Sequence, residues 1–576
     1  MIDNATEAPD VGASDKEKDI DYTTTTPIEI NVALLNINEE TKYLTIKLME
    51  MYGSMIDSLK EILTENSNNE PYRTIISTFG CAKMFEKTDM DLHDALIATA
   101  LFEIYKHLYE DDDYDQFMVN TLDAKGIPKV KMDYDILSKY LIRKYAIISF
   151  GGIPYVYIND QYYADGRLEK LIKEILKIFK HTEVSKHIKI KDLVKDIIFR
   201  IVGTEQKIVE SPFNRLSNKL IPCKNGIVHR ETMILLPNSP AFGMLYRLNA
   251  VFDPNVKTNE MGKYLDSLVE VPEDAELLLQ IPAQALIQNP QHQLAYTLTG
   301  DGKNGKSTYI IFLQNFVGRF NYTSISLQDL TENRFARAEL DGKLLNAYPD
   351  LNKNAVKYTG IFKALTGSDT IQCERKYGQP FQLTNKAVFC FSANELPEIS
   401  DATYAFWRRL CVIPFPNRFE SDPYLIERLC SQDNMSAFLN LVINKMNRID
   451  LQGLSKSDRI EKANQLWKAR SSSAYAFVTD CIQKDVNGKI SKPTMENLYR
   501  AYCEDKDITT QSFVNVVNEL QKLHVIISRT RDESSHMISV YRGIKYVKPD
   551  SSVKYFEDVV EEVDDEELLT IVEEKP

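Results

Sequence analysis

The sequence predicts an α/β protein built around a phosphate-binding loop, preceded by a mainly helical amino-terminal region. Three observations carry this expectation. The stretch "TLTGDGKNGKSTYIIFLQNF", Thr297 to Phe316, passes from β-prone residues through a glycine-rich turn into an apolar, helix-like run. Two further apolar runs, "GKLLNAYPDL" and "NKAVFCFSANELPEI", end on polar side chains, Asp350 and Asn394, as buried strands ending at a site would. The 576 residues are 43% hydrophobic and 26% charged, a globular composition that at this length suggests roughly three to four domains.

Taken along the chain, residues 1–27 form an acidic, polar lead-in, too poor in apolar residues to fold and lacking a signal-peptide core. Residues 28–130 follow a helical period, as in "ETKYLTIKLMEMYGSMIDSLKEIL", and their role stays unread. An α+β domain over 131–257 carries a hairpin signal at Gly151-Gly152, a helix in "GRLEKLIKEILKIF", and a second hairpin signal at Asn225-Gly226. The phosphate-loop domain spans 258–425 with helices at its start, and a helical connector covers 426–470. Residues 471–548 read as helices followed by a strand, a charged turn and a strand; 549–576 are an acidic, disordered tail.

Several function classes recede on composition. No run of about 18 apolar residues exists to span a membrane, so an intracellular protein with no membrane partner is expected. The eight cysteines show no Cys-x-x-Cys pair, against a zinc ribbon or a disulfide scaffold. A net charge of −14 argues against nucleic acid at first sight. Residues 300–420, however, hold 15 Lys+Arg against 12 Asp+Glu, a difference of +3, and the acid gathers at the ends, as in "FEDVVEEVDDEELLTIVEEK". The cluster from Asp111 to Asp115 follows a helix and reads as a solvated loop, not the strand-end carboxylates a two-metal primase needs, so primase activity is not expected.

The loop fits the pattern Gly300-x-x-x-x-Gly305-Lys306-Ser307 in its required strand–helix context. Glycines let the backbone N–H groups of Gly300, Asp301, Gly302, Lys303, Asn304 and Gly305 curl around phosphate oxygens, and the helix amino terminus through Ser307 and Thr308 adds its dipole. Lys306 reaches the β- and γ-phosphates, and the Ser307 hydroxyl ligates Mg2+. Asp350, at the end of its apolar run, is the candidate second magnesium ligand, and Asn394 the neutral side chain that orients the attacking water. In "FWRRLCVIPF", Arg408 and Arg409 are either solvated or an arginine finger for a neighbouring subunit's nucleotide.

In this order, "GDGKNGKST", "LLNAYPDL", "IFKALTGSDTIQCERKYGQPF", "FSANELPEI" and "FWRRLCVIPFP" resemble the superfamily 3 helicases, in the phage, plasmid and viral primase–helicase branch. "LIPCKNGIVHRETMILLPNSP" is similar to the helicase-associated domain that precedes that motor. The resemblance implies an AAA+-like motor that forms a ring, usually a hexamer, on single-stranded DNA and hydrolyses ATP with Mg2+ between subunits. It makes Lys306 and Ser307 the Walker A pair, Asp350 the Walker B ligand, Asn394 sensor 1, and Arg408 or Arg409 the finger. One departure stands out: many relatives end the Walker B strand on two adjacent acids, whereas Asp350 lies between Pro349 and Leu351, which leaves the general base unassigned.

The family's channel hairpin falls on "CERKYGQPFQLTNK", where Arg375 and Lys376 would grip backbone phosphate and Tyr377 would stack on a base; a solvated hairpin tip is the plainer reading. The end of the chain resembles a winged helix, with Arg529 and Arg531 near phosphate at the start of the wing, although such domains also bind proteins. An ATP-driven replicative helicase of a virus, phage or plasmid is therefore the expected function, with single-stranded DNA, its own copies and other replication proteins as partners. The other class is an initiator that uses ATP as an assembly switch. A small-molecule kinase would need an acceptor pocket and a phosphate-gripping lid that the motifs do not supply.

Overall fold

The computed structural model describes residues 114–548, except 123–124, 206–212, 215–218, 289–293, 354–355, 357, 377, 398, 400–403 and 532–536. The expectations for the lead-in, for the helical region and acidic cluster up to residue 113, for Tyr377 and for the acidic tail lie outside the described residues. The chain separates into two compact units, one ending at Arg247 but including Val251–Val256, the other made of Leu248–Ala250 and everything from Lys257.

The described part of the first unit starts with a short 3-10 turn, Tyr114–Phe117, and then a hairpin where a helical texture was expected up to residue 130. Met118–Leu122 pairs antiparallel with Pro128–Met132, and Gly126 turns between them at φ 76°. Both strands are largely exposed, so no buried face imprints a period of two on the sequence. The Gly151-Gly152 hairpin forms between Ile148–Phe150 and Ile153–Ile158, with both glycines at positive φ. "GRLEKLIKEILKIF" becomes the helix Glu169–Phe179, whose first N–H groups, from Glu169, Lys170 and Leu171, donate to the Asp165 carboxylate at 2.8, 2.8 and 3.2 Å. Its Leu171, Ile175 and Phe179 pack with Leu137, Leu141, Val156 and Ile197.

In the second hairpin, Leu220–Cys223 and Gly226–His229 turn through Lys224-Asn225, one place before the Asn-Gly pair. Gly226 is needed in the ladder itself: at φ 154°, a Cβ there would stand 2.4 Å from the Leu236 carbonyl oxygen.

In the second unit, helices Asn259–Leu268 and Pro272–Ile287 lead to a five-stranded, wholly parallel sheet. Its strands are β1 (Ala295–Thr299), β2 (Tyr322–Thr323), β3 (Leu345–Tyr348), β4 (Val388–Ala393) and β5 (Leu410–Pro414), in the spatial order β2-β3-β4-β1-β5. Helix α1 (Lys306–Val317) follows β1. Because every strand is parallel, all five carboxyl ends open on one rim, where crevices in such sheets hold ligands. β1 and β4 are buried almost throughout, which explains their unbroken apolar text. Phe389 and Phe391 of β4 join Phe362, Phe406, Trp407 and Trp467 in the main core, while Phe312 and Phe316 of α1 meet Phe438 edge-on.

Two asparagines finish the edges of the sheet. Asn346 of β3, fully buried, accepts from Thr323 Oγ1 (2.8 Å) and Ile325 N–H (2.9 Å) and donates to the Ile325 carbonyl (3.0 Å), fixing the two-residue edge strand β2. Asn464, on the helix Asp458–Ser471, accepts from Val412 N–H (3.0 Å) and donates to the Leu410 carbonyl (3.2 Å), covering the open side of β5.

Between β3 and β4 an antiparallel hairpin, Thr370–Glu374 with Pro380–Thr384, stands as a separate two-stranded ladder. The carboxy-terminal block joins helices Ser473–Cys481, Lys492–Asp505 and Phe513–Lys522 to a three-stranded antiparallel sheet in which Met537–Tyr546 lies between Ile482–Ser491 and Ile526–Arg531. The first of these strands was not anticipated. Its polar text "IQKDVNGKIS" buries only Ile482 and Ile490, and the ladder shifts register near Gly488, where a Cβ would meet the Ile544 carbonyl at 2.2 Å. Among the described residues no helix is long and apolar enough to cross a membrane.

Asn346→Ala should destabilise this core by about 2 kcal/mol, because it leaves the half-buried N–H and carbonyl of Ile325 without these partners and empties a fully buried position. The chain's two tryptophans, Trp407 and Trp467, both lie in the same core, so the urea midpoint of their fluorescence is the measurement.

Candidate functional site

The loop from Gly300 to Gly305 joins the end of β1 to the start of α1 at the sheet rim. Its path needs glycine at two close approaches. A Cβ at Gly300 (φ 153°) would lie 2.1 Å from Asn304 Nδ2 and 2.5 Å from the Phe415 carbonyl; one at Gly305 (φ 83°) would lie 2.6 Å from Leu268 Cδ2. Lys303 adopts positive φ as well, at 52°. Residues after β5 brace the loop from outside: Phe415 N–H donates to the Thr299 carbonyl (2.7 Å), Asn304 Nδ2 donates to the Phe415 carbonyl (3.3 Å), and Phe419 N–H donates to the Lys303 carbonyl (2.8 Å). No motif marks Phe415 or Phe419, so the sequence alone did not single them out.

Lys306, the first residue of α1, has its side chain almost wholly buried, and its ammonium group donates to the Gly300 carbonyl, to Asn304 Oδ1 (2.9 Å) and to Asn394 Oδ1 (3.1 Å). The contact with Asn394 joins the loop to the end of β4 across 88 residues of sequence. Burial pulls the Lys306 pKa down to about 8, against the opposing pull of the Asp301 and Asp350 carboxylates. Ser307 and Asp301 are exposed at the same helix start, Thr308 is half-buried, and no side chain caps the helix, so its first N–H groups face outward.

Asp350 lies two residues past β3, exposed, and the segment carrying it is fastened to β4: Ser392 Oγ donates to the Pro349 carbonyl, and Leu351 N–H donates to the Ser392 carbonyl at 2.7 Å. Ser392 is a further residue that sequence reasoning missed, since a serine inside an apolar strand carries no signal. The hard oxygens suited to Mg2+ are thus Ser307 Oγ and the Asp350 carboxylate, the latter close enough to Lys306 to act on its charge. Among the described residues no group of three or more His, Cys, Asp or Glu side chains could hold a metal.

The two arginines before β5 part company. Arg408 is exposed, whereas Arg409 is buried, donates to the Ala405 carbonyl, and packs beside Gly367 and Asp369, with burial and the neighbouring Arg408 lowering its pKa. At the hairpin, Arg375 is already engaged: its guanidinium pairs with Asp341 (2.6 Å) and lies 4.5 Å from the Phe381 ring centroid. Arg334 pairs with Glu374 (3.0 Å) at the same end of the strand. Lys376 is exposed in the turn that Gly378 closes onto the Arg375 carbonyl (2.8 Å). Arg529 and Arg531 are exposed, two residues apart on one face of the edge strand Ile526–Arg531. The structure therefore gathers Lys306, Ser307, Asp350 and Asn394 at the loop; Arg375 and Lys376 stand on the hairpin, and Arg529 and Arg531 belong to another sheet.

A family model described as "Family of unknown function (DUF5906)" matches residues 298–409, the stretch from the loop to the arginine pair. A protein of Acanthamoeba polyphaga mimivirus named "Putative helicase" is 29% identical over 214 residues, 35% of this chain and 22% of that protein. Another protein named "Putative helicase", from Invertebrate iridescent virus 3, is 23% identical over 216 residues, 35% and 23% respectively. The match thus spans under a quarter of either relative's length. Viral proteins named as helicases are the relatives that the sequence resemblance leads one to expect. Among solved structures, the NrS-1 carboxy-terminal region overlays with a TM-score of 0.37 at 13% identity, covering 71% of this chain and 98% of that one. The JCV helicase overlays with a TM-score of 0.22 at 14% identity, covering 38% and 62%. Overlays this loose bear no weight for fold or function.

A lysine whose pKa is lowered by folding makes stability depend on pH in a defined sense. Between about pH 8 and 10.5 the unfolded chain binds a proton that folded Lys306 does not, so this residue adds stability as pH rises through that window. Lys306→Met should remove the rise: its stability relative to the wild type should fall by roughly 3 kcal/mol between pH 7.5 and 10.5, read from paired urea melts.

Proposed function

We propose that this chain is an ATP-driven DNA helicase motor that works as a ring of identical subunits, six by family resemblance, in the replication of a viral, phage or plasmid genome inside the host cell. The observation that carries the reading is the Lys306 ammonium, held inside a glycine loop and hydrogen-bonded to Asn394 at the next strand end, with Asp350 nearby. A triphosphate entering the loop replaces those acceptors with its own oxygens, and the helix start supplies N–H groups to them. Mg2+ on Ser307 and Asp350 would offset charge on the β- and γ-phosphates. Asn394, released from Lys306, then faces the γ-phosphorus, where its amide orients the water whose oxygen attacks while ADP departs.

The exposure of Arg408 and the burial of Arg409 favour Arg408 as the finger that reaches a neighbouring subunit's nucleotide, and give Arg409 a structural part. The AAA+-like reading draws on the parallel sheet, in which the strand ending at Asn394 lies beside the loop strand. For DNA, the tethered Arg375 supports Lys376 at the hairpin tip as the phosphate contact, with Tyr377 beside it in sequence. The carboxy-terminal helices and three-stranded sheet suit a winged helix, with Arg529 and Arg531 as its phosphate contacts.

Steady-state ATP hydrolysis with and without single-stranded DNA tests the proposal. Stimulation by DNA is expected in the wild type, loss of all turnover in Lys306→Ala, and loss of the stimulation alone in Lys376→Ala. Hydrolysis indifferent to DNA would favour an assembly switch, and no hydrolysis at all would sink the motor reading. Arg408→Ala should lower turnover by about 10³-fold or more with an unchanged melting temperature. Arg409→Ala should lower the melting temperature instead.

A further inference from the structure

The parallel order of the sheet fixes which way a nucleotide must lie. Asn394 and Asp350 stand at the ends of β4 and β3, on one side of β1; β5 lies on the other side. If the γ-phosphate sits by Asn394, the nucleoside end has to emerge toward β5 and the segment that follows it. On that flank, in the segment after β5, two large aromatic side chains are exposed among the described residues, Phe419 (37%) and, five residues further on, Tyr424 (66%); Phe419 is the one tied to the loop. Its backbone N–H is tied to the Lys303 carbonyl, and its ring edge lies 3.5 and 3.8 Å from the point where a Cβ on Gly305 would stand. Leu268 approaches the same point, and Asn417 straps this segment to the end of the helix Asn259–Leu268 by donating to the Ser267 (2.9 Å) and Val269 (3.2 Å) carbonyls. A phenyl ring is thus held at the loop's outer flank by its own backbone N–H and by the Asn417 side chain two residues before it.

We infer that Phe419 is the seat of the nucleobase, which stacks on its exposed ring face while the phosphates occupy the loop. The inference rests on the nucleotide reading of the loop and adds a statement about selection. The carbonyls of Lys303, Phe415, Ser267 and Val269, which hold the loop and this segment together, each accept a hydrogen bond from the protein. The contact assigned to the base is stacking on the ring face, which every base can offer. The site takes nucleoside triphosphates broadly and prefers purines for their larger stacking face.

The test is equilibrium binding to the full chain of ATP, GTP, CTP and inorganic tripolyphosphate, which has the charges of the triphosphate but no base. Wild type should bind ATP and GTP within a few-fold of each other and CTP more weakly. Phe419→Ala should weaken both purine nucleotides by roughly ten- to a hundredfold and leave tripolyphosphate unchanged. Phe419→Leu, which keeps an apolar contact with Gly305 but removes the flat ring, should behave the same way. Equal losses for tripolyphosphate and ATP in both variants would mean that Phe419 only braces the loop. Unchanged ATP binding in Phe419→Ala, or a wild-type preference of more than a hundredfold for ATP over GTP, would also overturn the inference while the loop reading stands. A wild type that binds neither ATP nor tripolyphosphate would remove both.

Discussion

The ammonium group of Lys306 is the point on which the candidate site depends. It is buried at the start of α1, and burial of a lone cation is costly, so three oxygen acceptors must converge on it. One acceptor is a backbone carbonyl that its own loop turns inward, one is a loop side chain, and the third, Asn394, follows the last residue of β4. Meeting that demand fixes the loop against the neighbouring strand. It also leaves a site whose polar groups are satisfied by one another until something with more acceptor oxygens replaces them. A polyphosphate has that character; a neutral ligand does not.

Around this point the chain spends its irregular residues on keeping a narrow loop in place. Gly300 and Gly305 remove side chains where Asn304, the Phe415 carbonyl and Leu268 come closest. The segment after β5 closes over the loop through backbone bonds at Thr299 and Lys303. On the other flank Ser392 fastens Pro349, and with it Asp350, to β4. The loop, Asp350 and Asn394 are therefore parts of one sheet rim. The hairpin and the carboxy-terminal sheet are separate ladders whose charges need not respond to the same constraint.

The two pairs of neighbouring cations show why residue type alone could not assign roles. Arg408 and Arg409 are adjacent in sequence, yet one is exposed and the other is buried beside Gly367. Arg375 and Lys376 likewise differ, because Asp341 and Phe381 engage the first while the second stays exposed in the turn. Their partners lie up to about 40 residues away along the chain, and no local pattern anticipates such pairings.

The sequence by itself determined the features whose physics is local. The glycine loop between strand and helix, the buried runs ending near Asp350 and Asn394, the Gly151-Gly152 turn and the amphipathic helix after it were all legible, because each rests on a period or a backbone requirement spelled out within about 20 residues. What it could not supply were the polar, half-exposed strands Met118–Leu122 and Ile482–Ser491, whose stability comes from the ladder and not from a buried face. Nor could it supply the strand order, the clasp between Ser392 and Pro349, or the place of Phe419 beside the loop. Those were decided by tertiary structure, since each joins segments dozens of residues or more apart, and only packing determines which distant carbonyl or ring a side chain meets.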